Sequence, residues 1–346
     1  MFFQLVQMQK KLIALLVLFV SFASHAWTPK AMKIWDNDNY SAFTSLCKFK
    51  GKYFCAFREA GSHIYEKDGS AHGQIRVLVS GNGRKWKSSA VLSIDGTDLR
   101  DPKLSVGSDG RLMLIMGGSY YSDWSFLGRT THVAFSDDGA KWTAPQKVRI
   151  KAGYVEPDNW IWRVTWYEGS GYGVSYSSSS SDLSLLKTRN GIDWEPVSSF
   201  TCGDFPNETT LKFTDGGEMV MIVRCDGEND SRAYWGKSSY PYSSINFRPL
   251  DFRIGGPDMM LLKNGKVIVA GRSYDEGKTC KTSIWVGDLD GCFKKVMDLP
   301  SGPYGDTSYP GLSIECNRLW ITWYACVDAG TSDIWFLKIP LSSIMN

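Results

Sequence analysis

One short pattern constrains this chain more than any other. It reads [ST]-x-[DN]-G-x-x-W and occurs at Ser80-Gly-Asn82-Gly83-Arg-Lys-Trp86, Ser136-Asp-Asp138-Gly139-Ala-Lys-Trp142 and Thr188-Arg-Asn190-Gly191-Ile-Asp-Trp194. The hydroxyl and the Asx side chain can both bond local backbone, and Asx-Gly tolerates the left-handed conformation of a tight turn. The Trp then plugs the turn onto neighbouring strands. Successive copies start 56 and 52 residues apart, about the length of a four-stranded propeller blade.

A second repeat is independent of the first. Hairpin turns followed by apolar strands occur at Lys50-Gly51, Asp109-Gly110, Ser170-Gly171, Gly216-Gly217, Asn264-Gly265 and Asn317-Arg318. The strands after them include Leu112–Met116, Met219–Val223, Val267–Ala270 and Leu319–Trp323, near-continuous apolar runs that suit burial on both faces. Six hairpins roughly 50 residues apart predict an all-β fold, a six-bladed β-propeller of four-stranded antiparallel blades. Segment 28–40 is then left to add an edge strand that closes the ring with the last blade. The aromatic share of 14% and the 34 glycines agree with β structure rich in tight turns. A two-sheet sandwich is the competing architecture, and the regular period counts against it.

Residues 1–26 read as a secretory signal peptide. Lys10 and Lys11 precede an apolar run, Leu12 to Val20, and small residues follow up to Ala26. The run is too short to span a bilayer. The expectation is an exported, periplasmic or secreted protein with one domain over 27–346, no membrane span and a monomeric state. Losing the two lysines brings the formal charge from +3 to +1, too small for the basic face of a nucleic-acid binder. Eight cysteines in an oxidising compartment allow up to four disulfides, and a hairpin about Lys50-Gly51-Lys52 would set Cys47 beside Cys55. No spacing matches a zinc site, and no calcium-loop pattern is present, so neither metal nor cofactor is expected.

Counting along the repeat exposes a pattern of charges. Arg58, Arg224 and Arg272 each lie seven residues beyond the glycine of their hairpin turn, where other repeats carry Gly117, Ser178 and Tyr324. Asp101 and Glu208 lie nine residues before Gly110 and Gly217, and Tyr309 eight before Asn317. Both ends of a hairpin lie on the side opposite its turn, so these residues are expected on one face of the ring, near its axis. A cluster of guanidiniums suits a carboxylate or other planar anion, because each fork donates two parallel hydrogen bonds. The ligand expected is acidic.

These residues carry a resemblance. The repeated turns look like the Asp boxes of the sialidase (neuraminidase) superfamily. Asn207-Glu208, Asp215-Gly216 and Arg224 resemble that family's Asn-Glu…Asp-Gly…Arg segment, Phe57-Arg58 its first arginine strand, and Val269-Ala-Gly-Arg272 the third. Asp306-Thr-Ser-Tyr309-Pro-Gly-Leu312 resembles the segment bearing the nucleophilic tyrosine. The similarity runs through nearly the whole of 27–346 in the family's order. It implies a retaining exo-α-sialidase-like hydrolase acting on sialylated or other acidic glycans. Arg58, Arg224 and Arg272 would hold the sugar carboxylate, Tyr309 would be the nucleophile, Glu208 its base, and Asp101 would sit near the ring substituents. The general acid of the family is an Asp in the loop before the first Asp box. Here that loop is 63–74, with Asp68 as the choice and His72 and His63 as alternatives. Asn82 stands in place of the first box's Asp, and Glu59-Ala60 follow Arg58 where the common pattern has an apolar residue and Pro, which marks a divergent branch.

The implied chemistry is coherent. A sialic acid carries its carboxylate on the anomeric carbon, so an anionic nucleophile would approach against like charge, and sialidases use tyrosine. A phenol with a pKa near 10 is weak until a neighbouring glutamate takes its proton. Two other readings share the fold: another acidic-sugar hydrolase or a lyase, and a non-catalytic glycan-binding propeller.

Overall fold

In the computed structural model the described residues are 30–345 except 152, 154–157 and 276–278. The expected signal segment lies outside them. Among them there are twenty-five strands, one 3-10 turn (Leu341–Ser343) and no α-helix. After β1 (Met32–Trp35) come β2 (Tyr40–Phe49), β3 (Lys52–Ala60), β4 (Gln74–Ser80) and β5 (Lys87–Leu92). Next are β6 (Asp98–Val106), β7 (Leu112–Ser122), β8 (Ser125–Ser136) and β9 (Gln146–Lys147). Then follow β10 (Arg149–Ile150), β11 (Trp160–Tyr167), β12 (Ser170–Tyr176), β13 (Leu183–Thr188) and β14 (Asp193–Phe200). The next group is β15 (Pro206–Phe213), β16 (Met219–Cys225), β17 (Tyr234–Ser238) and β18 (Asn246–Pro249). It is succeeded by β19 (Ile254–Leu261), β20 (Lys266–Ser273), β21 (Lys281–Asp288) and β22 (Lys294–Asp298). The chain ends in β23 (Thr307–Glu315), β24 (Arg318–Asp328) and β25 (Thr331–Pro340).

The fold is all-β, a propeller-like arrangement of small antiparallel sheets. Three sheets have four strands in chain order, β6 to β9, β15 to β18 and β19 to β22. A fourth runs β11-β12-β13-β14 with β10 added in parallel on β14. The last is eight-stranded, because β23-β24-β25 and β2-β3-β4-β5 meet through a single parallel pair, Tyr40 with Ser332. β1 pairs antiparallel with β25, the closing strand that segment 28–40 was expected to supply. Six first strands line one cavity of about 330 Å3, through Leu46, Leu104, Val164, Lys212, Met260 and Leu312.

The Trp turns at Gly139 and Gly191 tie their sheets to the preceding ones. Ser80, Ser136 and Thr188 accept the amides of Gly83, Gly139 and Gly191 at 2.8, 2.8 and 2.9 Å. Asn82, Asp138 and Asn190 accept amides two residues on. With no Cβ, Gly139 lies against the Phe54 ring and Gly191 against Met113 and Phe135. Trp194 is buried and closes its turn by donating to the Gly191 carbonyl. A fourth turn of this kind, Asp288-Leu-Asp290-Gly291, escaped the pattern because Asp288 stands in place of the Ser or Thr and Lys294 in place of the Trp. Asp288 caps it, and Gly291 packs on Trp235.

Three local expectations need correction. The third hairpin turn is Glu168-Gly169, not Ser170-Gly171, and the sixth is Cys316-Asn317, not Asn317-Arg318. All four of those turn residues have positive φ, as the two central positions of a hairpin turn matched to strand twist require. The first shift puts Tyr176, in place of Ser178, at the register of the arginines. Cys47 faces Phe54 and Cys55 faces Leu46, so the two thiols lie on opposite faces of the hairpin, and no disulfide joins them. No helix among the described residues is long and apolar enough to cross a membrane.

Replacing Trp194 with alanine should cost about 3–5 kcal/mol in urea denaturation. Trp124→Ala, at a residue 57% exposed on the β7–β8 turn, should stay within about 0.5 kcal/mol of the wild type.

Candidate active site

The site is built by a feature that composition does not reveal. On every first strand the pairing with the second strand skips two residues. The skipped pairs are Phe43-Thr44, Asp101-Pro102, Trp162-Arg163, Asn207-Glu208, Gly256-Pro257 and Tyr309-Pro310. Such bulges re-aim side chains at sheet ends and beside active sites. Phe43, Asp101, Gly256 and Tyr309 all have positive φ, between 45° and 64°, a strained choice for the three that are not glycine. Pro102, Pro257 and Pro310 carry no N–H, so no donor is stranded there.

These bulges bring Tyr309 and Glu208 together. The Tyr309 hydroxyl donates to Glu208 Oε1 at 2.6 Å, and Arg224 Nη1 donates to both, at 2.9 Å to Tyr309 and 2.7 Å to Glu208 Oε2. The Gly256 amide adds a bond to Oε2 at 2.8 Å. Arg224 is held from behind by Asp226, which also accepts from Asn207 and Arg253. Both Tyr309 and Glu208 are buried. Burial, and then the Glu208 charge, push the Tyr309 hydroxyl well up, with Arg224 opposing. The resting residue is a phenol beside an acceptor for its proton.

Arg272 flanks the tyrosine on another side, its guanidinium 5.8 Å from the ring. It donates to the Thr307 carbonyl at 2.8 Å, to Tyr324 at 2.8 Å and to Asp306 at 3.2 Å. Asp306 accepts further from the hydroxyls of Tyr324 and Tyr40, each at 2.6 Å. Burial would raise its carboxyl, but donors from His63, Tyr324 and Tyr40 win and hold it well below the usual range. Asp101 is buried, and burial pushes its carboxyl up, against Lys103. Lys103 stands 4.9 Å from the Trp162 ring and 5.7 Å from that of Tyr309. Burial pulls its ammonium down to about 8, with Asp101 opposing.

Of the residues expected from sequence, the structure therefore brings together Tyr309, Glu208, Arg224 and Arg272, with Asp101 nearby. Arg58 is instead committed to Asp98. Its side chain is fully covered, donating to Asp98 at 2.7 Å and to the Ser62 carbonyl at 2.8 Å. Asp68 is exposed and accepts from the amide and hydroxyl of Ser70. His72 is exposed as well. His63 sits at the edge of the cluster, its Nδ1 2.5 Å from the Tyr40 hydroxyl and 3.3 Å from Asp306. Sequence reasoning missed Asp306, Tyr40, Asp98 and Lys103 as site groups. Asp306 had a visible signal, three residues ahead of Tyr309, whereas the others depend on packing between sheets. No group of His, Cys, Asp or Glu among the described residues could hold a metal ion.

Among solved structures the chain is similar to a protein of unknown function from Dyadobacter fermentans. The TM-score is 0.76 at 19% identity, over 90% of this chain and 98% of that one. It is similar also to the Trypanosoma rangeli sialidase in complex with the inhibitor DANA, at TM-score 0.70 and 8% identity, over 90% of this chain and 60% of that one. The leech intramolecular trans-sialidase complexed with 2,7-anhydro-Neu5Ac gives 0.69 at 12%, over 92% and 71%. The chain thus spans less than two thirds of the trypanosomal protein. At these identities the likeness establishes the fold. No protein-family model and no curated protein sequence matches the chain.

Gly256 offers a direct check of this geometry. A Cβ there would meet the Tyr309 ring at 2.6 Å, whereas at Gly265, also at positive φ, nothing lies within 4 Å. Gly256→Ala should therefore cost about 1–3 kcal/mol more than Gly265→Ala in denaturant titrations. In a Tyr309→Ala background that excess should largely vanish, a coupling read by a double-mutant cycle.

Proposed function

We propose that the chain is an exported glycoside hydrolase of exo-α-sialidase type, releasing terminal sialic acid or a related acidic sugar with retention of configuration. In this reading residues 1–26 are a signal removed on export and 27–346 form one six-bladed propeller. The count of six takes the eight-stranded sheet as two blades joined by the Tyr40–Ser332 pair, matching the six strands around the axial cavity. The observation that carries the reading is the buried Tyr309–Glu208 contact of 2.6 Å with Arg224 bridging both oxygens.

Each group has a role in the reaction. Arg224 and Arg272 orient the sugar carboxylate, as planar forks suit a planar anion. Tyr309 attacks the anomeric carbon as a neutral phenol, escaping the repulsion a carboxylate nucleophile would meet. Glu208 takes its proton as the bond forms, so the raised resting value of the phenol is no obstacle. Asp101 faces the ring substituents. The structural similarity to a sialidase with a bound inhibitor and to an intramolecular trans-sialidase adds support at the level of fold. One observation favours the second reading, another acidic-sugar hydrolase or lyase. Arg58 is covered and tied to Asp98, which leaves two arginines rather than three for the ligand.

The test is turnover of a 4-nitrophenyl α-sialoside, followed by mass analysis of sugars released from a panel of acidic glycans. Tyr309→Phe should lower kcat by at least about 10³-fold and Glu208→Gln by roughly 10²–10⁴-fold. A product with a new conjugated double bond would instead identify a lyase. Saturable binding of sialylated glycans without turnover would identify a lectin. If the wild type turns over neither the aryl sialoside nor any glycan of the panel, the hydrolase reading fails.

A further inference from the structure

Departure of a sugar alkoxide needs a proton, because the free alkoxide is far too basic to leave unaided. The loop between β3 and β4 holds the three candidates for delivering it that the sequence singled out: His63, Asp68 and His72. We infer that His63, oriented by Asp306 and Tyr40, is the proton donor to the leaving oxygen and that Asp68 only shapes the loop. The inference rests on the glycosidase reading above.

Asp68 is placed for a structural task. Its Oδ1 accepts both the amide and the hydroxyl of Ser70, a capped turn of the kind Asp forms two residues ahead of its partner. Those bonds favour the ionised carboxylate, the form with no proton to give. His72 is exposed and has no hydrogen bond to the cluster around Tyr309 and Asp306.

His63 is exposed too, but it is hydrogen-bonded into the cluster. Its Nδ1 faces the Tyr40 hydroxyl at 2.5 Å and Asp306 at 3.3 Å, which orients the ring and leaves Nε2 as the nitrogen for an external partner. Asp306 is also a ligand of Arg272, so the imidazole and the carboxylate clamp share one anchor. The ring packs edge-on to Phe43 at 5.7 Å, and Phe43 packs on Tyr309 at 4.8 Å. With its side chain 46% exposed, His63 can meet a ligand lying over Tyr309.

The backbone that carries His63 is itself clamped. Arg58 donates to the Ser62 carbonyl and Arg100 to the His63 carbonyl, each at 2.8 Å, while both guanidiniums face Asp98. Two buried arginines on one carboxylate, each holding a successive carbonyl, make a rigid seat for one residue of an otherwise half-exposed loop. This gives Arg58 a purpose that its complete burial against Asp98 otherwise leaves unexplained.

The step balances. The Nε2–H proton passes to the glycosidic oxygen as its bond to the anomeric carbon breaks. The bonding pair stays on that oxygen, and an alcohol departs. Tyr309 oxygen bonds the anomeric carbon and its own proton goes to Glu208. Water then attacks, gives a proton to the now neutral His63, and Tyr309 leaves with the proton held by Glu208.

The experiment varies the leaving group. Wild type, His63→Gln and Asp68→Asn are assayed on sialyllactose, whose leaving alkoxide needs a proton, and on 4-nitrophenyl α-sialoside, whose nitrophenolate does not. His63→Gln should lose roughly 10²–10⁴-fold in kcat on sialyllactose but less than about tenfold on the aryl substrate, and Asp68→Asn should follow wild type on both. Equal loss on both substrates, no loss on either, or a leaving-group-selective loss in Asp68→Asn would overturn the assignment. An unchanged melting temperature in His63→Gln would separate a chemical defect from a folding one. A wild type inactive on both substrates would sink the glycosidase reading itself, and this inference with it.

Discussion

Six first strands crowd around one axis, and at one level each of them skips two residues of its ladder. That shared bulge is the constraint on which the rest of the site depends. In a regular strand, side chains at this level would alternate between the two faces of the sheet. The skip re-aims one side chain per strand, at the cost of left-handed backbone in Phe43, Asp101 and Tyr309, of order 1–3 kcal/mol each. Tyr309 and Glu208 come from β23 and β15, which are separated by β19. They can touch because β19 presents Gly256 there, with no side chain in the way and an amide that binds Glu208. Phe43 and Trp162 then hold the tyrosine ring from other sides.

Charge at the axis is abundant and mostly matched, although Lys103 Nζ is buried without a hydrogen-bond partner. Arg224 faces Glu208 and Asp226, Arg272 faces Asp306, Arg58 faces Asp98 and Arg163 faces Asp258. Unpaired buried ions are costly, so this matching is what allows so many to coexist away from water. It also sorts the arginines by availability. Arg58 is committed to the protein, whereas Arg224 and Arg272 remain partly exposed beside Tyr309. The near-neutral total of the chain and its dense local charge are therefore two views of one arrangement.

Much of this was legible in the sequence, and the failures are instructive. The Trp turns and their spacing located strands and sheet contacts, because each turn is a local structure with its own hydrogen bonds. Tyr309, Glu208, Arg224 and Arg272 followed from counting, because similar hairpins place similar offsets near one level. The two misplaced turns, at Glu168-Gly169 and Cys316-Asn317, lack the Asx-Gly or Gly-Gly pair that marks most of the others. Cys47 and Cys55 show how little slack exists: one residue of register moves a side chain to the opposite face of the sheet.

What the sequence determined by itself is the repeat, its strands and the level at which functional side chains lie. All of these depend on backbone preferences within a few residues. The tertiary structure alone decided who pairs with whom across sheets. Arg58 has the same offset as Arg224 and Arg272 yet is captured by Asp98, forty residues on, and Asp306 gathers Tyr40, His63, Arg272 and Tyr324 from four separate segments. Such partnerships arise from how neighbouring sheets lean together, and no periodicity in the chain encodes that.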